Sequence, residues 1–233
     1  NSATEVAASG YEEDQDIAQT IDQAEQKILA VANRKHSGGV VKIKDIVKSA
    51  MARIEELYDT KDAFTGLPTG FTDFDKMTSG LQPSDLIIVA ARPSMGKSSL
   101  VLNIAEHVAL DGGKSVAFFS LEMSKEQLAS RIISTEALVG GTKLRTGDLT
   151  EGEWTRLVEA GDILSKADLY LDDSPGITVP EMKAKVRRLK NVDLVIIDYL
   201  QLMNSAKRID NRVQEISEIT RSLKIMAKEL NVP

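Results

Sequence analysis

A chain of 233 residues with 42% hydrophobic content can close one core of ordinary size, and 4% aromatics leave aliphatic side chains to fill it. Its 29 basic against 35 acidic residues exclude coating of nucleic acid by bulk charge, though not a local basic loop gripping one strand. The absence of cysteine excludes disulfides and thiolate metal sites, two histidines (His36 and His107) are too few for a His-based one, and no run nears the roughly 18 consecutive apolar residues of a membrane span.

Asn1 to Gly10 has neither a basic n-region nor an apolar h-region, so no signal peptide is read there. No initiator Met stands at the start, which reads as the interior of a longer chain in a reducing cytoplasm. Residues 1–34 carry Ile17, Ile21, Ala24, Ile28 and Val31 at spacings of four and three, one apolar stripe on a helix. After His36-Ser37-Gly38-Gly39, a linker over residues 35–63 holds a second amphipathic helix at 42–58. Its stripe is Ile43, Ile46, Val47, Ala50, Ile54 and Leu57. A helix between two turn-rich joints either docks on a neighbouring chain or packs on its own core, and periodicity alone does not choose.

From Phe64 onward strands and helices alternate. Strands are expected at Leu86–Ala90, Val116–Leu121, Asp168–Asp172 and Leu194–Ile197. Helices are expected from Ser98 to Leu110, after the capping boxes Ser124/Gln127, Thr150/Glu153 and Thr178/Glu181, and from Arg212 to Leu230. Apolar strands separated by helices predict an α/β fold with a parallel sheet flanked by helices. The pattern calls for a further strand after Val232-Pro233, so residues 64–233 read as an α/β domain incomplete at its C-terminus.

Ala91-Arg92-Pro93-Ser94-Met95-Gly96-Lys97-Ser98 follows the first expected strand and opens a helix. It matches the phosphate-loop pattern except that Ala91 replaces the first glycine. In such a loop the backbone N–H groups of Arg92, Pro93's neighbours, Ser94, Met95, Gly96 and Ser99 surround phosphate, and Gly96 admits a close approach. Lys97 brings a point charge to the β- and γ-phosphates, and Ser98 offers a hydroxyl to Mg²⁺. Asp198 ends an apolar strand about a hundred positions later, where a second Mg²⁺ contact belongs. Glu122 ends the strand Val116–Leu121 on the same carboxyl edge, where a carboxylate can activate water. It can equally favour the dipole of the next helix. Asp172 and Asp173 are rival bases. Lys207, Arg208 and Arg212 form a charged loop after Asp198, a phosphate contact or a solvated turn.

Taken together these segments resemble the bacterial replicative DNA helicase of the DnaB type. The resemblance rests on Phe64-Thr65-Gly66-Leu67-Pro68-Thr69-Gly70-Phe71, the phosphate loop, Phe119-Ser120-Leu121-Glu122-Met123, Leu144-Arg145-Thr146-Gly147 and Asp198-Tyr199-Leu200-Gln201-Leu202-Met203. It implies a RecA-like P-loop motor that hydrolyses ATP with Mg²⁺. The resemblance further implies a homohexameric ring moving 5′ to 3′ on single-stranded DNA, with primase and a loader as partners. It implies that Glu122 is the catalytic base and that Lys97, Ser98 and Asp198 hold phosphate and Mg²⁺. It also implies that Arg208 and Arg212 face the channel and that helix 42–58 packs on the adjacent subunit, after a remnant of the N-terminal helical domain in residues 1–34. A RecA-like recombinase, or a nucleotide-gated assembly module without catalysis, are the competing readings. The Glu122 and Asp198 segments favour the helicase over the recombinase, and the intact Gly96-Lys97-Ser98 with Glu122 argues against a module without catalysis.

Overall fold

The computed structural model describes residues 42–60, 64–189, 191–205 and 211–233. The helix expected over Ile17–Val31 lies outside the described residues. Contacts divide the chain between Lys61 and Asp62. In the first unit, helix α1 (Ile43–Thr60) spans the expected amphipathic segment. Its apolar stripe is open to solvent: Ile43, Ile46, Val47, Met51 and Ile54 are all exposed.

The second unit begins with a clasp. Leu67 and Leu81 exchange two backbone hydrogen bonds of 2.8 Å, and the Gly66 N–H donates to the Ser79 carbonyl at 2.8 Å. A Cβ on Gly66 would stand 2.6 Å from the Leu81 carbonyl oxygen, so only glycine lets the two segments meet. Short helix α2 (Thr72–Thr78) lies between them. It places Asp75 so that its carboxylate accepts from the Thr69 N–H at 3.0 and 3.1 Å, the Thr69 hydroxyl at 2.7 Å and the Gly70 N–H at 3.2 Å. Both Thr69 and Asp75 are buried, and this set of donors compensates the desolvated charge.

Downstream come α3 (Lys97–Leu110), β1 (Ser115–Ser120), α4 (Lys125–Glu136), α5 (Gly141–Thr146), α6 (Glu151–Ser165) and β2 (Leu169–Asp172). They are followed by α7 (Val179–Arg188), β3 (Val192–Asp198), a 3₁₀ turn at Leu200–Leu202 and α8 (Arg212–Leu230). All three strands are parallel, in the order β2-β1-β3. Every residue of the central strand β1 is buried. Its alternation assigns the faces: Val116 and Phe118 join Leu102, Val108, Leu128 and Ile132 from α3 and α4. Ala117 and Phe119 join Met182, Val186, Ile219, Leu223 and Met226 from α7 and α8. This is the expected α/β architecture, with helices on both faces of a parallel sheet. A small third cluster, Ala137, Val139 and Ala160, joins α4, α5 and α6.

The boxes read from sequence are formed. Glu153 N–H donates to the Thr150 hydroxyl at 3.3 Å and Thr150 N–H returns to the Glu153 carboxylate at 2.9 Å. Ser124 and Gln127 do the same at 3.3 Å each way, and Thr178 N–H donates to Glu181 at 2.9 Å. One expectation fails. Leu86–Ala90 is no strand: it joins no ladder among the described residues, and Ile87, Ile88 and Val89 are 44%, 67% and 42% exposed. Apolar composition suits a strand for burial, but a ladder requires a hydrogen-bonded neighbour in register, and none of the described strands pairs with this segment. Leu86 alone packs, against the α7/α8 cluster.

Candidate nucleotide and catalytic site

The loop from Ala91 to Gly96 is exposed along its length and turns directly into α3. Gly96 is the N-cap, at φ +86°, a left-handed conformation that costs an L side chain energy. The space around it is open, since a Cβ there meets nothing within 4 Å. Conformation, rather than crowding within this chain, is therefore what demands glycine here. Ser94 also has positive φ, at 64°, whereas Ala91 does not, so the missing first glycine costs the loop nothing. No side chain caps α3. The first-turn N–H groups of Lys97, Ser98 and Ser99 thus converge with the positive end of the helix dipole on open solvent, an arrangement suited to an anion.

Lys97 and Asp198 meet at this point. The ammonium Nζ stands 3.0 Å from Asp198 Oδ1 and 4.0 Å from the centre of the Tyr199 ring. Asp198 is 2% exposed at the end of β3, opposite Ser120 at the end of β1. Its Oδ1 receives no hydrogen bond of good geometry, so its compensation is the Lys97 charge alone. The Asp198–Tyr199 peptide is cis. Sequence reasoning misses Tyr199 as a site residue, because nothing in the sequence says that its ring lies beside the lysine of a distant loop.

Glu122 is exposed one residue beyond a backbone bond that joins the two strand ends, Leu121 N–H to Asp198 carbonyl at 2.7 Å. The turn carrying it is stitched by Ser120, whose hydroxyl donates to the Met123 carbonyl at 2.7 Å and accepts from the Met123 N–H at 3.1 Å. The Glu122 side chain has no hydrogen bond or ion pair among the described residues. Its rivals are engaged. Asp172 receives Lys185 at 2.5 Å and the Ser174 N–H at 2.9 Å. Burial alone would raise its carboxyl, but Lys185 and Ser174 outweigh this and hold it below its ordinary value. Asp173 receives the Lys125 N–H at 3.2 Å, at the N-terminus of α4.

Oxygen donors suited to a hard cation are present in the Ser98 hydroxyl and the Asp198 carboxylate. No group of three or more metal-ligating side chains gathers among the described residues. That donor set fits Mg²⁺, which takes few protein ligands and completes its shell with water and phosphate oxygen. Of the charged loop, Arg208 lies outside the described residues. Arg212 opens α8, pairs with Glu215 at 2.5 Å and donates to the Gln201 carbonyl. The Arg212 guanidinium, followed by the Ser205 N–H, holds the Glu215 carboxyl below its ordinary value.

Residues 66–233 match the family described as DnaB-like helicase C terminal domain. The replicative DNA helicase DnaB of Geobacillus stearothermophilus is 48% identical over 235 aligned positions, covering 99% of this chain and 52% of that relative. The chain thus spans about half the length of that relative. Among solved structures, an ATPase domain aligns at a TM-score of 0.74 and 34% identity, covering 80% of this chain and 68% of the other. A DnaB-like replicative helicase, solved with attention to its interactions with primase, aligns at 0.78 and 28% identity, covering 99% and 55%. The sheet and its flanking helices are accordingly RecA-like.

Proposed function

The chain belongs to the DnaB-like helicase family, and from that membership we propose that it carries the motor of a replicative DNA helicase. ATP hydrolysis drives a homohexameric ring 5′ to 3′ along single-stranded DNA and opens the duplex at the fork, in the cytoplasm. The observation that carries this reading is the Lys97–Asp198 pair at 3.0 Å, at the foot of an uncapped helix that follows a phosphate loop.

The phosphates of ATP sit on the loop from Arg92 to Ser99, against its backbone N–H groups and the helix dipole. Lys97 then acquires a second anion and relaxes its hold on Asp198. Ser98 and Asp198 would hold Mg²⁺, which neutralises charge on the β- and γ-phosphate oxygens when bound. Glu122, without a partner among the described residues and adjacent in backbone to Asp198, orients the attacking water and takes its proton. Arg208 and Arg212 contact the DNA backbone, which reconciles a net acidic chain with a DNA track: a ring needs positive charge only along its channel. The exposed stripe of α1 docks on the adjacent subunit. Primase and a loader are the further partners, primase being the one named with a solved relative.

The test is ATP binding and turnover by this chain with Mg²⁺, with and without single-stranded DNA, beside Lys97→Ala. Turnover stimulated by DNA is expected, falling at least about 100-fold in Lys97→Ala as phosphate charge stabilisation is lost. A folded wild-type chain that binds no ATP would overturn the reading.

A further inference from the structure

A second concavity lies away from the phosphate loop, between the C-terminal ends of α3, α4 and α6, with a volume of about 790 Å³. Its floor is Glu106, nine positions along α3 from Lys97, roughly 13 Å at the rise of a helix. Glu106 is 8% exposed, and its Oε1 has no hydrogen-bond partner. The nearest side chains add no positive charge. Glu136 of α4 faces it closely enough for the two carboxyls to share a proton in a side-chain hydrogen bond, and Asp111 beyond the end of α3 adds further negative potential. The basic side chains at the rim are engaged elsewhere: the His107 ring lies 2.6 Å from the Asp111 carboxylate, and Lys166 pairs with Asp162 at 2.6 Å. The rest of the lining is mixed, with Asn103 and Thr135 beside the apolar Leu138 and Ile163. Leu138, in the left-handed region at φ 51°, is 84% exposed, and Ile163 is 44% exposed.

A buried carboxyl facing a second carboxyl demands a positive species between them, either a proton or a cation. A bound divalent metal is disfavoured, because these groups do not gather into a metal-ligating set among the described residues. Leu138 and Ile163 line the same cavity as the two carboxyls, which suits a cation carried on an alkyl chain, with N–H groups for the acids and methylenes for the two apolar side chains.

We propose that this cavity binds an alkyl-linked ammonium or guanidinium group, seated on Glu106 and Glu136 with its hydrocarbon against Leu138 and Ile163. Such a group arrives either on a free polyamine or on a basic protein side chain. It competes with the proton on Glu106, whose carboxyl is raised to about 7, chiefly by burial and then by Glu136.

Calorimetric titration of the whole chain with spermidine, n-butylguanidinium and neutral n-butanol tests this. Saturable binding of at least one cation and none of butanol is expected, about tenfold tighter near pH 8.5 than near pH 5.5, because the proton has left. Spermidine binding the tighter identifies a polyamine site; n-butylguanidinium binding the tighter identifies a site for a protein side chain. Glu106→Gln weakens the preferred cation at least tenfold. Glu136→Gln, at a less buried position, gives the same loss should the first variant fail to fold. No binding of either cation, equal binding of butanol, or affinity unchanged in both variants overturns the assignment. None of these readouts involves nucleotide, so their failure leaves the phosphate-loop reading untouched.

Discussion

Glu122 stands at the carboxyl edge of the sheet with no hydrogen bond or ion pair among the described residues to occupy it, whereas Asp172 and Asp173 are spent on Lys185, Ser174 and Lys125. Removing its basicity while keeping its shape should therefore slow the chemistry and spare binding. Glu122→Gln is expected to lower kcat by about 10²- to 10⁴-fold with the KM for ATP changed less than threefold or so, read from steady-state turnover. An equal loss in Asp172→Asn with Glu122→Gln unaffected would move the base to the rival. Glu106 makes a separate prediction, in stability. Its carboxyl lies near 7 in the fold, above the ordinary 4.5, chiefly through burial. A raised carboxyl favours the folded state fully below about 4.5, and that favour is lost as pH rises through about 7. Wild-type stability should thus fall by about 1–2 kcal/mol between pH 5.5 and 8.5, and Glu106→Gln should flatten that fall, as followed by urea unfolding. At this scale the sequence is legible where chemistry follows a motif, as at Gly96-Lys97-Ser98. It is illegible where the partner comes from afar: neither the Tyr199 ring beside Lys97 nor the Glu106–Glu136 approach leaves a trace in spacing.

Among the elements, helices with a box at the start are readable to within a residue or two, because Ser124, Thr150 and Thr178 each announce a local bond that needs no tertiary neighbour. The short α2 and α5 are not. Seven and six residues hold too little periodicity to register, and α2 is fastened by a buried carboxylate rather than an apolar stripe. That fastening can be measured. Asp75→Ala strips the acceptors from the Thr69 N–H, the Thr69 hydroxyl and the Gly70 N–H. A loss of about 2–4 kcal/mol is expected in chemical unfolding, since buried donors are left unsatisfied. A loss under about 0.5 kcal/mol would mean that water replaces the carboxylate at no cost. The same contrast accounts for Leu86–Ala90: its apolarity is plain, but pairing belongs to two segments at once and is not written in either.

For the whole molecule, the order β2-β1-β3 brings Ser120, Asp172 and Asp198 to one edge and puts the phosphate-loop helix α3 on the sheet face carrying Val116 and Phe118. The exposed stripe on α1 makes the prediction at this scale. Replacing Ile46 and Ile54 together by Asp should weaken association between copies at least about 100-fold, as each docked side chain is worth roughly 1.5–3 kcal/mol. The thermal midpoint of the dissociated chain, measured at dilution, should stay unchanged, since both residues are already exposed there. Light scattering with Mg²⁺ and nucleotide reads the first quantity, and unchanged mass across the pair would rule out α1 as the docking element.

The unladdered run Leu86-Ile87-Ile88-Val89-Ala90 bears on how such masses are interpreted. It is five consecutive uncharged residues, rich in β-branched side chains, with its middle three turned to water. Segments of that kind template cross-β stacking between chains. Concentrated samples should therefore form thioflavin-positive aggregates that Ile88→Lys suppresses, and a large particle that disappears with this substitution is an aggregate, not a ring.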